Sequence, residues 1–356
     1  MMDTKFETKN TILQEDLEQI VEKTDFSSYM HSSVLITGAT GLVGSRIVLA
    51  LLCANRMKHT DITVYAVVRN LEKAKRIYEE QFSNEKLTFI VWDITQEMSL
   101  DVSIDYVIHT ASVTASKFMV EKPVETIEAA LLGTRNILNL AKEKKIRSMV
   151  YLSSMEMYGR FEQSESVTED MCGSIDTLAI RSNYPLSKRM CENMCVAYHA
   201  EHGVPVKIAR LAQVFGAGIL PGENRVFAQF ARSAMAKQDI VLHTAGKSEG
   251  NYCYLADAIR AIYVIMSKGI DAQAYNVVNE ETHITIADMA KMVAKEIAKD
   301  EIQVVFDIPE TNTFGYAADT KMKLSSKKLK GLGWAPIYDL SASYKRMVEG
   351  IRSEKS

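Results

Sequence analysis

The chain has 356 residues, 47% apolar and 24% charged, a balance that supplies one large core or two interlocked lobes and excludes a disordered chain. Its 42 basic and 45 acidic side chains leave a formal charge of −3, so there is no global positive field to hold nucleic acid or an anionic membrane. The longest apolar run, Ile47 to Ala54, is too short to cross a bilayer.

In chain order, Met1 to Asn10 is polar and has no secretion pattern, so a cytoplasmic protein is expected. Within an N-terminal extension (1–30), Thr11 to Lys23 places Ile12, Leu13, Leu17, Ile20 and Val21 on one stripe, which predicts an amphipathic helix acting as a packing arm. Ser33 to Thr37 reads as a strand, followed by a glycine-rich turn and a helix from Leu42 to Ala54. Further strands are predicted at Ile62–Val68, Leu87–Val91, Tyr106–His109 and Ser148–Ser153, with helices at Glu72–Glu80, Val124–Lys144 and Tyr184–Glu201. Alternating strands and helices predict right-handed βαβ units and a doubly wound parallel sheet, an α/β fold of Rossmann type over residues 31–205.

Beyond Val206 the pattern is less regular. Strands at Val206–Leu211, Ile240–Thr244, Tyr275–Val278 and Ile302–Phe306 mix with helices at Val226–Lys237, Asp257–Ser267 and Ile286–Ala298. Residues 206–356 are therefore expected to form a smaller mixed α/β substrate lobe, interleaved with a sheet domain that part of 251–275 completes. Ligands of doubly wound folds bind in crevices at the C-terminal edge of the sheet. Cys53, Cys172, Cys191, Cys195 and Cys253 contain no CxxC pair, so free thiols and no metal site are expected.

Thr37-Gly38-Ala39-Thr40-Gly41-Leu42-Val43-Gly44 lies between a strand and a helix. Gly38 permits the tight turn, Gly41 lets the backbone approach a pyrophosphate, and Gly44 allows close helix–strand packing. The amides that begin the helix then face the phosphates. The second strand ends at Arg69 rather than at the carboxylate that usually accepts a ribose hydroxyl, and Lys73 and Arg76 follow, so NADP is expected, with NAD the alternative. Asp93 and Ile94 end the third strand where a carboxylate can take the adenine amino group. Thr110, Ala111 and Ser112 follow the fourth, where small residues let the backbone lie against the cofactor.

Tyr184 and Lys188 are four apart on one helical face, and Ser154 ends the fifth predicted strand. A phenol is a poor base at neutral pH. A neighbouring ammonium and an oxidised nicotinamide favour the phenolate.

With these motifs the chain resembles the extended short-chain dehydrogenase/reductase family, in its NAD(P)-dependent nucleotide-sugar epimerase/dehydratase branch. The resemblance runs from about Ser33 to Leu332-Gly333-Trp334-Ala335-Pro336 and includes Arg210…Phe215-Gly216. It implies that Tyr184 is the acid/base, that Lys188 binds the nicotinamide ribose and that Ser154 orients the reacting oxygen. It also implies a nucleotide-sugar or sugar-phosphate substrate in the C-terminal lobe, and a homodimer formed through the helices near Val124–Lys144 and Tyr184–Glu201.

Several positions depart from the family pattern. Met155-Glu156 stands where dehydratases carry Asp-Glu, which leaves Glu156 as a second base without the acid that elimination needs. Gly250 replaces a diphosphate-binding Arg, Gln213 an Asn and Ala130 an Asn, with Arg225, Lys247 or Arg232 as replacement clamps. Thr114, Gln213 and Arg225 are the substrate-side candidates. The expected activity is NADP(H)-dependent reduction of a ketone on a nucleotide-activated sugar. The alternative is a redox-neutral epimerase, decarboxylase or dehydratase with a retained cofactor, and a cofactor-sensing module without chemistry is the reading from outside enzymology.

Overall fold

The computed structural model describes residues 6–161, 166–219, 222–309 and 320–353. Seven strands form the main sheet: β1 (Ser33–Thr37), β2 (Thr63–Val68), β3 (Leu87–Val91), β4 (Tyr106–His109), β5 (Ser148–Ser154), β6 (Val206–Leu211) and β7 (Ala274–Val277). Their order is β3-β2-β1-β4-β5-β6-β7, and every pairing is parallel. A sheet covered on both faces needs strands that are apolar throughout, and β1 and β4 are buried at every position.

Helices α1 (Thr11–Glu22), α2 (Leu42–Lys58) and α3 (Leu71–Ile77) precede β3; α4 (Ser116–Glu121), α5 (Pro123–Lys144) and α6 (Asn183–His202) lie between β4 and β6; α7 (Val226–Ala236) and α8 (Leu255–Lys268) come before β7. One face of the sheet packs on α2 and α8 through Ile47, Leu51, Ile259 and Ile262. The other packs on α5 and α6 through Ile137, Leu138, Cys191 and Cys195.

The N-terminal helix packs over α2 and α8 of the same chain. Leu13, Leu17, Ile20 and Val21 are buried there, and Ile12 is partly so. Asp16, a polar residue on that inner side, was not part of the predicted stripe. It accepts the Tyr254 hydroxyl at 2.5 Å and pairs with Arg346 at 2.8 Å. Burial pushes its carboxyl up to about 6 in spite of Arg346.

The division expected at 205/206 does not coincide with the sheet. Val206–Leu211 and Ala274–Val277 are its sixth and seventh strands, because Val206, Ile208, Ala209, Tyr275 and Val277 are apolar and covered by helices. What lies off the sheet is a second core built by α7, α9 (Ile286–Met292) and α10 (Leu340–Ser353), around Phe215, Phe227, Phe230 and Tyr344. Two short parallel pairs accompany it, Ile240–Leu242 with Val304–Phe306 and Gln213–Phe215 with Tyr252–Tyr254. The helix predicted to Ala298 changes after Met292 into a wider π turn over Val293–Ile297. No helix among the described residues is long and apolar enough to cross a membrane.

Candidate active site

The chain leaves β1 toward one face of the sheet and β4 toward the other, which opens a crevice between their C-terminal ends. Gly38 has φ +65°, and a Cβ there would lie 2.8 Å from the Ala111 backbone. A Cβ on Gly44 would lie 2.5 Å from the Gly38 carbonyl oxygen, so the turn, the helix and the loop after β4 meet with no room for side chains. Thr110 Oγ1 donates to the Thr37 carbonyl at 2.7 Å, and the Ala111 amide donates to Thr37 Oγ1 at 3.2 Å. His109 Nδ1 shares a 2.6 Å hydrogen bond with the same hydroxyl, and burial pulls its imidazole down to about 3, which makes it a neutral strut.

Gly41 caps α2 without a side chain. The amides of Leu42 and Val43, in the first turn, have no intrahelical acceptor and face the crevice mouth as an anion cradle, with Thr40 beside them. Tyr78 donates to the Ala39 carbonyl at 2.5 Å and holds the turn from below.

Arg69 is exposed at the end of β2, and Lys73 is half-buried one turn into α3; neither side chain has a partner among the described residues. Asp93 is exposed and accepts from the Thr95 amide and hydroxyl at 3.0 and 2.9 Å. Ile94 is buried against Gly133, where a Cβ would lie 2.6 Å from its side chain. Asn136, which sequence reasoning missed, donates to the carbonyls of Ile94 and Gln96 at 2.9 and 2.7 Å and fixes that loop. Ser112 Oγ donates to the neighbouring Val113 carbonyl at 3.4 Å, and Thr114 is exposed. Glycine turn, bare amides, small residues opposite and unpaired cations at the β2 end fit a dinucleotide phosphate chain.

Across the crevice, β5 ends at Ser154 and α6 begins one residue before Tyr184. Lys188 Nζ donates to the Leu152 carbonyl at 2.8 Å and lies 5.8 Å from the centre of the Tyr184 ring. Ser154 Oγ accepts the Glu156 amide at 3.2 Å. Burial pushes the Tyr184 phenol up to about 12, and the charge of Glu156 adds to it, while Ser154, Arg181 and Arg225 pull the other way. Burial also draws the Lys188 ammonium down to about 8.

The expected pull of Lys188 and an oxidised nicotinamide toward the phenolate has to act against this burial. Desolvation is the largest influence on the Tyr184 phenol, ahead of the Glu156 charge. At neutral pH the isolated protein holds Tyr184 as a proton donor.

Glu156 is not free. Arg181 Nη2 donates to its two carboxylate oxygens at 3.0 and 3.3 Å. Arg181 comes from the turn Ile180–Ser182 that leads into α6, and its guanidinium carbon is 5.7 Å from the Tyr184 ring centre. Sequence reasoning missed it; its only signal was its place three residues before the tyrosine. Gln213 Oε1 accepts from Arg225 Nη1 at 3.4 Å, and Arg225 also grips Glu223 at 2.7 and 3.0 Å. Arg232 is held by the Glu223 carbonyl at 2.6 Å, whereas Lys247 has no partner among the described residues. At Gly250 a Cβ would meet nothing within 4 Å. No group of three or more His, Cys, Asp or Glu among the described residues is placed to hold a metal ion.

Residues 34–278 match the model of the NAD dependent epimerase/dehydratase family. UDP-glucuronic acid decarboxylase 1 of Danio rerio is 27% identical over 322 residues, covering 90% of this chain and 73% of that protein. UDP-glucuronic acid decarboxylase 6 of Arabidopsis thaliana is 27% identical over 320 residues, covering 90% and 88%. Among solved structures, UDP-glucose 4-epimerase of Thermotoga maritima superposes with a TM-score of 0.73 at 21% identity, over 91% of this chain and 100% of that one. UDP-glucuronic acid 4-epimerase of Bacillus cereus, with UDP-glucuronic acid and NAD, gives 0.73 at 22%, over 90% and 99%.

Proposed function

The chain belongs to the NAD dependent epimerase/dehydratase family, and from that premise we propose that it converts a nucleotide-activated sugar in a redox-neutral reaction, with Tyr184 as acid/base. The observation that carries this reading is Glu156. Hydride transfer to a ketone needs the serine, tyrosine and lysine alone, and this site adds a carboxylate, held by Arg181 at 3.0 Å, two residues after Ser154. A second ionisable group beside the phenol serves a step after the first oxidation: epimerisation, or loss of carbon dioxide from a uronic acid. The decarboxylase relatives support a UDP-linked uronic acid as the first substrate to test.

Gly38, Thr40, Gly41, Leu42, Val43 and Gly44 would hold the pyrophosphate, Asp93 and Ile94 the adenine, Thr110, Ala111 and Ser112 the path between, and Lys188 the nicotinamide ribose. The bound dinucleotide supplies the hydride acceptor and donor. Ser154 orients the reacting hydroxyl, and Tyr184 takes its proton and later returns it. Thr114, Gln213 and Arg225 face the sugar nucleotide. Arg225 takes the diphosphate in place of the side chain missing at Gly250, by exchanging Glu223 for phosphate oxygens.

Burial pushes the phenol up, so in this scheme Lys188 and the bound oxidised nicotinamide have to help Tyr184 lose its proton before the first oxidation. Exposed Val124, Ile127, Met190 and Val196 on α5 and α6 support a homodimer through those helices, and five free thiols support a reducing cytoplasm.

A second reading, net ketone reduction with NADPH, is favoured by Arg69 and Lys73, which suit a 2′-phosphate. One experiment separates the two. Purified protein is denatured and the released nucleotide identified, and the intact protein is given UDP-glucuronic acid without added reductant. Retained NAD or NADP with product formed supports redox-neutral chemistry. Empty protein that turns over only while consuming NADPH overturns it.

A further inference from the structure

Glu156 and Arg181 sit on the two elements that carry the reacting groups. Glu156 lies in the turn directly after Ser154, and its amide is bound to the Ser154 hydroxyl at 3.2 Å. Arg181 lies in the turn directly before α6 and so is tied covalently to Tyr184. The ion pair at 3.0 Å therefore bridges the end of β5 to the start of α6 at the mouth of the site. Bonds from two further side chains make the same crossing below it, from Lys188 to the Leu152 carbonyl at 2.8 Å and from Arg189 to the Met157 and Tyr158 carbonyls at 2.6 and 3.0 Å. These two use backbone acceptors and do not depend on charge at the site, whereas the Arg181 pair places a carboxylate and a guanidinium beside the phenol.

We propose that Arg181 is a positioning residue of the reaction, which holds the Glu156 carboxylate in a fixed place beside the catalytic phenol and offsets its charge there. The proposal rests on the reading of Tyr184 as acid/base. Glu156 left alone would keep its negative charge close to Tyr184 and oppose formation of the phenolate. With Arg181 in place the pair is close to neutral as seen from the ring, and the guanidinium also stacks toward the aromatic face at 5.7 Å. Both side chains are a little over one third exposed, so the pair can open for substrate without unfolding any element.

The other groups that face the phenol are Ser154 and Tyr151 from β5, Lys188 from its own helix, and Arg225 from the start of α7. Of these only Ser154 touches Glu156, through its backbone amide, so the Glu156 carboxylate is gripped by Arg181 and can be varied through it. The chemistry of the pair predicts opposite effects of its two halves. Loss of Arg181 leaves an uncompensated anion and makes the phenolate harder to form. Loss of Glu156 leaves an uncompensated cation and makes it easier.

The test is the titration of Tyr184 in the full-length protein with its dinucleotide bound. It is followed by the ζ-carbon resonance of labelled tyrosine and assigned through its loss in Tyr184→Phe. Arg181→Met is expected to move the Tyr184 titration up by roughly one pH unit and Glu156→Gln to move it down by about as much, with the double variant close to wild type. Arg181→Lys, which keeps the charge, should restore most of the shift. In turnover, Arg181→Met moves the pH profile of kcat in the same direction and leaves KM nearly unchanged.

Unmoved titration in Arg181→Met overturns the proposal, as does a shift of the two single variants in the same direction. A change confined to KM also overturns it, since it would make Arg181 a substrate contact. If Arg181→Met does not fold, Glu156→Gln decides: no downward shift overturns the proposal. The titration needs no substrate. Failure of the acid/base reading would appear separately, as turnover surviving in Tyr184→Phe.

Discussion

The two walls of the crevice are built by different means. The β1–β4 wall is made of backbone: Gly38 against Ala111 at 2.8 Å, Gly44 against the Gly38 carbonyl at 2.5 Å, and a buried Thr37–His109–Thr110 hydrogen-bond set. The opposite wall is made of side chains on turns and neighbouring elements, with Glu156 paired to Arg181 and Arg225 paired to Glu223 and Gln213. The first has no slack, as a site for an invariant phosphate chain requires. The second is half-exposed and exchangeable, which suits a wall that has to accept a substrate and let a product go.

That contrast can be broken from either side. The largest effect is expected at the join, where Tyr184→Phe should lower kcat by at least about 100-fold while dinucleotide binding, measured by calorimetric titration, is unchanged. On the backbone wall, Gly38→Ala forces a side chain onto a φ of +65° and into Ala111. A cost of roughly 1–3 kcal/mol in thermal unfolding, together with weakened dinucleotide binding, is expected.

His109 tests the same wall through pH. Its folded value, down to about 3 from an ordinary 6.5, means that the unfolded chain binds the extra proton between those limits. Stability is therefore lost as pH falls through that window, by about 2 kcal/mol at pH 5 from this residue alone. Asp16, raised from 3.8 to about 6, acts in the opposite direction over its own window. His109→Asn should therefore melt with less acid sensitivity than the parent, and equal sensitivity would refute the buried neutral strut.

The smallest effects belong to the charged surface groups. Arg69→Glu should weaken NADPH binding relative to NADH by about tenfold in Kd. Arg225→Gln should raise KM for a sugar nucleotide by about tenfold, with little change in melting temperature, because its pair with Glu223 is exposed.

The same contrast explains what could be read from the sequence. The strand–glycine–helix unit is contiguous, and its glycines answer to steric needs that hold wherever the unit occurs. Ser33–Thr37, Leu87–Val91 and Tyr106–His109 lie where the pattern of apolar residues places them. Ser154, Tyr184 and Lys188 meet because each lies at the C-terminal edge of a sheet whose order follows from βαβ handedness. Arg181, Glu223 and Asn136 left no such trace, since their roles depend on which turns meet in space. The burial of Tyr184 left no trace for a related reason. Spacing brings an ammonium near a phenol, but burial, which no spacing reports, dominates the outcome. The sheet boundary was misplaced because Val206–Leu211 and Ala274–Val277 are short and follow irregular stretches.

The redox-neutral reading is tested most directly with UDP-glucuronic acid carrying deuterium on the carbon whose hydroxyl is oxidised, incubated with the protein and an excess of unlabelled dinucleotide. The account predicts that the label reappears on the same carbon of the product, because the hydride leaves and returns within one site. Label found in the free dinucleotide, or product formed only with matching consumption of NADPH, would contradict it.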